Sequence, residues 1–109
     1  MALVDGDGGA RGAVMEARDA SGAPVVELIG EIDISNAEVL GASLDRLIDA
    51  EAKPLVVDLT RLEFMDSSGI AILLRAAARA GTIEVRNPSN VVRRIIECTG
   101  LADVLHIGT

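Results

Sequence analysis

The chain has 109 residues, enough for one domain with one core and too few for two. Its formal net charge of −7 repels phosphate backbones and anionic lipid, so nucleic acid and membrane surfaces are not expected partners. Half of the chain is hydrophobic, yet Trp and Tyr are absent and Phe64 stands alone, so the core must be built from Val, Ile, Leu and Ala.

Cys98 is the only cysteine, which rules out an internal disulfide and a paired-cysteine metal or redox site. That usage fits a reducing compartment. The N-terminus lacks a basic start followed by an apolar run, so no signal peptide is expected. No apolar stretch approaches the roughly 20 residues that span a bilayer. A soluble cytoplasmic protein is the expectation.

Residues 1–11, "MALVDGDGGAR", are rich in Gly and Asp and are expected to form a mobile tail ahead of a single domain over 12–109. Gly6, Gly8 and Gly12 have a spacing only loosely like that of a phosphate loop. No strand precedes them and no Lys follows, so a nucleotide site is not expected.

"AVMEAR" (13–18) and "VVELIG" (25–30) read as strands joined by the turn-forming "DASGAP", an antiparallel hairpin. "SNAEVLGASLDRLIDAEA" (35–52) reads as a helix, with Ser35 and Glu38 at capping-box spacing. Leu40, Leu44, Leu47 and Ile48 share one face, and Glu38, Asp45 and Asp49 the other, with Val39 near the polar side. "PLVVDL" (54–59) is nearly all apolar and suits a central strand buried on both faces.

A second helix is expected over about 67–80, largely buried, with Arg75 and Arg79 marking a narrow wet stripe and Gly81 stopping it. "TIEVR" (82–86) alternates as a half-buried strand. "NPSNVVRRIIECTG" (87–100) reads as a third helix with Val91, Val92, Ile95 and Ile96 facing inward and Arg93 pairing with Glu97 outside. "LADVLHIGT" closes the chain as a short strand or a helical turn.

Strands alternating with helices call for parallel pairing and right-handed crossovers. The predicted fold class is α/β: a small mixed sheet of four to five strands with helices packed mainly on one face. The other face would be covered poorly, or only by the terminal segments.

The common chemistries find no residues to carry them. His106, the only histidine, sits near the C-terminus, and the serines do not form a strained G-x-S-x-G turn. One His and one Cys, with no carboxylate cluster around them, make no metal site. Cys98, on the margin of a helix, reads as a small packing residue. The domain is expected to catalyse nothing and to need no cofactor or metal.

The densest signal is "LEFMDSSGIAILL" (62–74). An acid and two hydroxyls stand where the chain turns from strand to apolar helix. On one reading Asp66 caps the helix, Ser67 and Ser68 are tolerated in its first turn, and Gly69 allows close approach to a neighbouring element. On the other, a hydroxyl at this junction is a phosphoryl acceptor. Such edges of α/β sheets are exposed, and a helix N-terminus favours phosphate. Phosphorylation would add about −1.5 to −2 charges beside Asp66 and weaken a docked partner by a hundredfold or more.

This stretch, with "GEIDISNAEVL" (30–40) upstream and "VVRRIIECTGL" (91–101) downstream, resembles a STAS domain, and more closely a bacterial anti-sigma factor antagonist. The resemblance covers nearly the whole chain after the tail. It implies a small mixed sheet with helices against it, as the element order does. It also implies that Ser67 is phosphorylated by a serine kinase that is itself the anti-sigma factor. The unphosphorylated antagonist would bind that kinase and free the sigma factor, and a PP2C-type phosphatase would restore it. Asp33 is implied to lie near the serine and to help dock the kinase, with Asp66 and Ser68 flanking the acceptor. Gly69 and Met65 complete the expected partner-binding set. Phe64 is expected to border the patch or, more simply, to pack in the core. The resemblance also leaves room for a scaffold subunit of a signalling assembly or an accessory subunit of a lipid or anion transporter.

Overall fold

The computed structural model describes residues 3–5, 12–22, 24–50, 55–81, 83–100 and 106–108. In chain order the elements are β1 (Leu3–Asp5), β2 (Gly12–Arg18), β3 (Pro24–Ile32), α1 (Ala37–Ala50), β4 (Leu55–Asp58) and β5 (Leu62–Met65). They continue with α2 (Ser67–Ala80), β6 (Ile83–Arg86), α3 (Asn90–Cys98) and β7 (His106–Gly108). The strands form one mixed sheet in the order β1-β2-β3-β4-β6-β7, with β5 also paired to β3. The α/β class, the mixed sheet and the helix layer are as expected. The described strands number seven rather than four to five.

The additional strands are short. Leu3–Asp5 lies within the segment expected as a mobile tail, but there it pairs antiparallel with β2, Val4 opposite Val14. A free edge of β2 offers unpaired backbone groups, and these three residues pair with Ala13–Met15 of it. The closing segment, which the sequence left between strand and turn, is a strand at His106–Gly108, parallel to β6.

The β2–β3 hairpin forms as read, antiparallel from Gly12↔Gly30 to Arg18↔Pro24. Its turn uses Asp19 as acceptor for the Ser21 N–H and hydroxyl, with Gly22 at φ 86°. β4 is central, parallel to β3 on one side and to β6 on the other. Only one of its faces is fully buried: Val57 is inaccessible, whereas Val56 and Asp58 are half-exposed. The expectation of burial on both faces fails because the helices cover one face alone.

That covered face and all three helices share a single core. Val14, Val26, Leu28, Ile32, Val57, Ile83 and Val85 from the strands meet Leu40, Leu44, Ile70, Leu73, Ala76, Val92 and Ile96 from the helices. The core is aliphatic, as the composition requires. α1 and α2 are tied outside it by Arg75–Asp45, Arg79–Asp45 and Arg79–Asp49 pairs, so the wet stripe of α2 faces the acids of α1.

Helix ends follow local chemistry. α2 spans the residues expected and stops at Gly81, φ 83°. α3 starts later than read, at Asn90, because the Ser89 hydroxyl caps it by accepting from the Val92 N–H at 3.1 Å. The capping box expected at Ser35 is not where α1 begins. Ser35 donates its N–H and hydroxyl back to Asp33, and the helix starts two residues on. Among the described residues, no helix is long and apolar enough to cross a membrane.

Candidate functional site

β5 delivers the chain to α2 through two buried and two exposed residues. Leu62 and Met65 are inaccessible, and Glu63 and Phe64 between them face out. Two outward residues in succession break the strand period, and the β3–β5 register shifts at Gly30/Glu31. Asp66 then turns the chain in an extended conformation, φ −102°, and its carboxylate accepts from the Ser68 N–H at 2.8 Å. Its carbonyl accepts from the N–H groups of Gly69 and Ile70. Asp66 is therefore the N-cap of α2, as the simpler reading had it.

Ser67 is the first helical residue and is exposed. Its hydroxyl makes no hydrogen bond with any described residue, so the N-cap role leaves it unused. Ser68 is half-buried and Gly69 is buried. A Cβ on Gly69 would lie 2.6 Å from the Cβ of Met65, so the glycine is what lets α2 begin directly over β5.

A second loop stands beside this junction. β3 and β5 run parallel with Ile32 opposite Met65, so Asp33 and Asp66 leave the sheet at the same end of adjacent strands. The Asp66 N–H donates to the Ile32 carbonyl at 3.1 Å and joins the two corners. The Asp33 carboxylate accepts from both donors of Ser35. Ile34, next to Asp33, is 84 % exposed, the most exposed large apolar residue described.

Beside β5 lies an apolar groove of about 720 Å³ between Phe64 and α3, lined by Val91, Arg94, Ile95 and Cys98 among others. The expected inward face of α3 is narrower than read. Val92 and Ile96 are buried, Ile95 partly so, and Val91 is 55 % exposed. Cys98 is exposed at the groove rather than packed. Arg93 and Glu97 form no ion pair.

The expected site residues thus fall into two groups. Asp33, Asp66, Ser67 and Ser68 gather at one corner with accessible surface. Met65 and Gly69, expected to touch a partner, are buried, Met65 completely. Phe64, for which core packing was the simpler expectation, is 43 % exposed. Met65 takes the inward position because Glu63 and Phe64 both turn out. The sequence reading missed Ile34 and Asn36 at this corner; the "ISN" turn between strand and helix was the available signal.

Charges elsewhere are conventional surface pairs. The Arg79 guanidinium is held above its ordinary range by its hydrogen bonds to Asp49, and Arg86 likewise by Glu84. Among the described residues, no cluster of His, Cys, Asp and Glu could hold a metal ion.

The family model described as "Mlab, STAS domain" matches residues 15–107. The chain is 30 % identical over 86 residues to an anti-sigma-B factor antagonist of Bacillus subtilis, covering 75 % of this chain and 78 % of that one. In three dimensions it is similar to an anti-sigma factor antagonist from Mycobacterium paratuberculosis, with a TM-score of 0.76, 29 % identity, and coverage of 86 % and 82 %. It is also similar to the anti-sigma factor antagonist SpoIIAA in its unphosphorylated form, with a TM-score of 0.70, 26 % identity, and 88 % of each chain covered.

Proposed function

The chain belongs to the STAS domain family, and we propose that it is an anti-sigma factor antagonist switched by phosphorylation of Ser67. The observation that carries this reading is the exposed Ser67 hydroxyl at the first position of α2, in one corner with Asp33 and Asp66. The curated relative and both solved neighbours described above are anti-sigma factor antagonists, and a form of SpoIIAA is specified as unphosphorylated.

In this reading the unmodified corner docks the anti-sigma factor, a serine kinase, and so releases the sigma factor. The kinase transfers the γ-phosphoryl group of its ATP to the Ser67 oxygen. The hydroxyl proton is lost and ADP leaves. The product carries about −1.5 to −2 charges at the site. The helix N-terminus tolerates that charge, so the domain stays folded. The docked interface does not, because a phosphate close to Asp66 adds like charge to a surface that docking must desolvate. A PP2C-type phosphatase would hydrolyse the phosphoserine and restore docking. This chain supplies the acceptor and the surface and performs no catalysis.

The test is intact-mass and site-mapping mass spectrometry on the chain from its own cells before and after stress. Phosphate at Ser67 with changing occupancy supports the switch. Ser67 unmodified in every condition, with an active anti-sigma factor kinase present, overturns it and favours a scaffold or transporter-accessory role.

A further inference from the structure

Among the described residues only two polar side chains are buried, Ser43 and Asn36, the latter 1 % exposed. A buried carboxamide is costly unless both its ends are bonded. Asn36 stands just before α1, and its carbonyl accepts from the Leu40 N–H at 3.0 Å, so it holds the cap position. An asparagine there ordinarily turns its side chain onto the first N–H groups of its own helix. This one turns back onto the strand it follows. Its Nδ2 donates to the Glu31 carbonyl at 2.9 Å, and its Oδ1 accepts from the Asp33 N–H at 2.9 Å. Reversing the amide would oppose donor to donor and acceptor to acceptor, so its orientation is determined.

Those two bonds bracket Ile32, and the peptide between Ile32 and Asp33 is a rigid plane. On one side its N–H is held by Asn36. On the other its C=O accepts from the Asp66 N–H. A single peptide unit therefore connects the buried carboxamide to the residue preceding Ser67. Hydrogen bonds in such a chain strengthen one another. β2 closes the arrangement: a Cβ on Gly12 would lie 2.3 Å from the Glu31 oxygen and 2.9 Å from Nδ2 of Asn36.

We propose that Asn36 is a positioning residue for the Ser67 switch: it never touches the partner, but its carboxamide sets where the Asp33 turn stands against the start of α2. The inference rests on the reading of Ser67 as the phosphoryl acceptor. Its effect runs through Asp33, so removing Asn36 should cost nothing further once Asp33 is gone.

The experiment is a double-mutant cycle on Asn36→Ala and Asp33→Ala. The anti-sigma factor kinase is the one that co-purifies with the Ser67→Ala chain, and Ser67 phosphorylation is followed with radiolabelled ATP. Rates are read at a temperature where thermal melting shows every variant folded. Asn36→Ala is expected to lower kcat/KM about ten- to a hundredfold, as a misplaced docking group does, with the change in KM. In the Asp33→Ala background the further loss is expected to stay within about twofold. Should Asn36→Ala not fold, the same cycle is run with Asn36→Asp. Phosphorylation of a folded Asn36 variant at the wild-type rate overturns the inference while leaving the switch intact. So does an equal loss with and without Asp33, or an Asp33→Ala chain phosphorylated normally. A wild-type chain that takes no phosphate at Ser67 overturns the switch and this inference together.

Discussion

The backbone N–H of Asp66 donates to the carbonyl oxygen of Ile32 at 3.1 Å. This bond joins the exits of β3 and β5, two parallel neighbours far apart in sequence. It puts the residue capping α2 beside the turn that carries Asp33. Each is an ordinary loop by itself. Together they bring Asp33 and Asp66 to the corner from which Ser67 opens α2.

Ser67 substitutions separate charge from structure. Ser67→Ala is expected to bind the anti-sigma factor with near wild-type affinity and to accept no phosphate. Ser67→Asp is expected to bind about a hundredfold more weakly, a difference of about 2.7 kcal/mol. Isothermal titration calorimetry reads both. Equal affinity for the aspartate variant would count against charge gating.

Asp66 carries a cap and a charge, and two variants divide them. Asp66→Ala removes the acceptor for the Ser68 N–H and is expected to cost about 1 kcal/mol of stability. Asp66→Asn keeps an oxygen in place and is expected to stay within a few tenths of wild type. Urea unfolding measures both. If Asp66→Asn were as unstable as Asp66→Ala, the cap would depend on charge rather than on the hydrogen bond.

Phe64 and Met65 are adjacent and should behave as opposites. Met65→Ala empties a fully buried site and is expected to destabilise by about 2–4 kcal/mol. Phe64→Ala removes a partly exposed ring and is expected to change stability by well under half of that, while lowering affinity for the anti-sigma factor about tenfold. Thermal melts and binding titrations on the same two proteins give the answer. A Phe64→Ala chain with unaltered affinity removes Phe64 from the docking patch.

Arg79 tests whether the ion pairs between α1 and α2 matter. Its bonds to Asp49 raise its pKa above the ordinary arginine value. A raised basic pKa gives stabilisation that is present below the unfolded-state value and is lost only as pH climbs through the folded one. This contribution is therefore constant across neutral pH. Arg79→Ala is expected to lower Tm slightly, with the difference shrinking at molar salt because the pair is solvent-exposed. A large, salt-insensitive drop would mean that the arginine stem is packing against the helices instead.

Much of the architecture was readable because it repeats. The apolar spacing of α1 and α2, the β2–β3 hairpin and the stop at Gly81 are local patterns that local physics enforces. β5 was harder, because Glu63 and Phe64 both face out and destroy the alternation that marks a strand. The inward face of α3 was overdrawn for a related reason. Helical spacing says which residues share a face, and only the partner surface says how wide that face is, so Val91 stayed in solvent.

Sequence alone determined the class of fold, the aliphatic core, the helix start at Ser67 and the identity of the acids and hydroxyls at the junction. Those depend on composition and short-range spacing. Tertiary structure decided which residues meet. It set Asp33 beside Asp66 through a parallel β3–β5 pairing, sent Met65 inward and Phe64 outward, and turned the Asn36 carboxamide onto the strand behind it. Each of these depends on strand register, a long-range quantity, since a shift of one residue exchanges the buried and exposed faces.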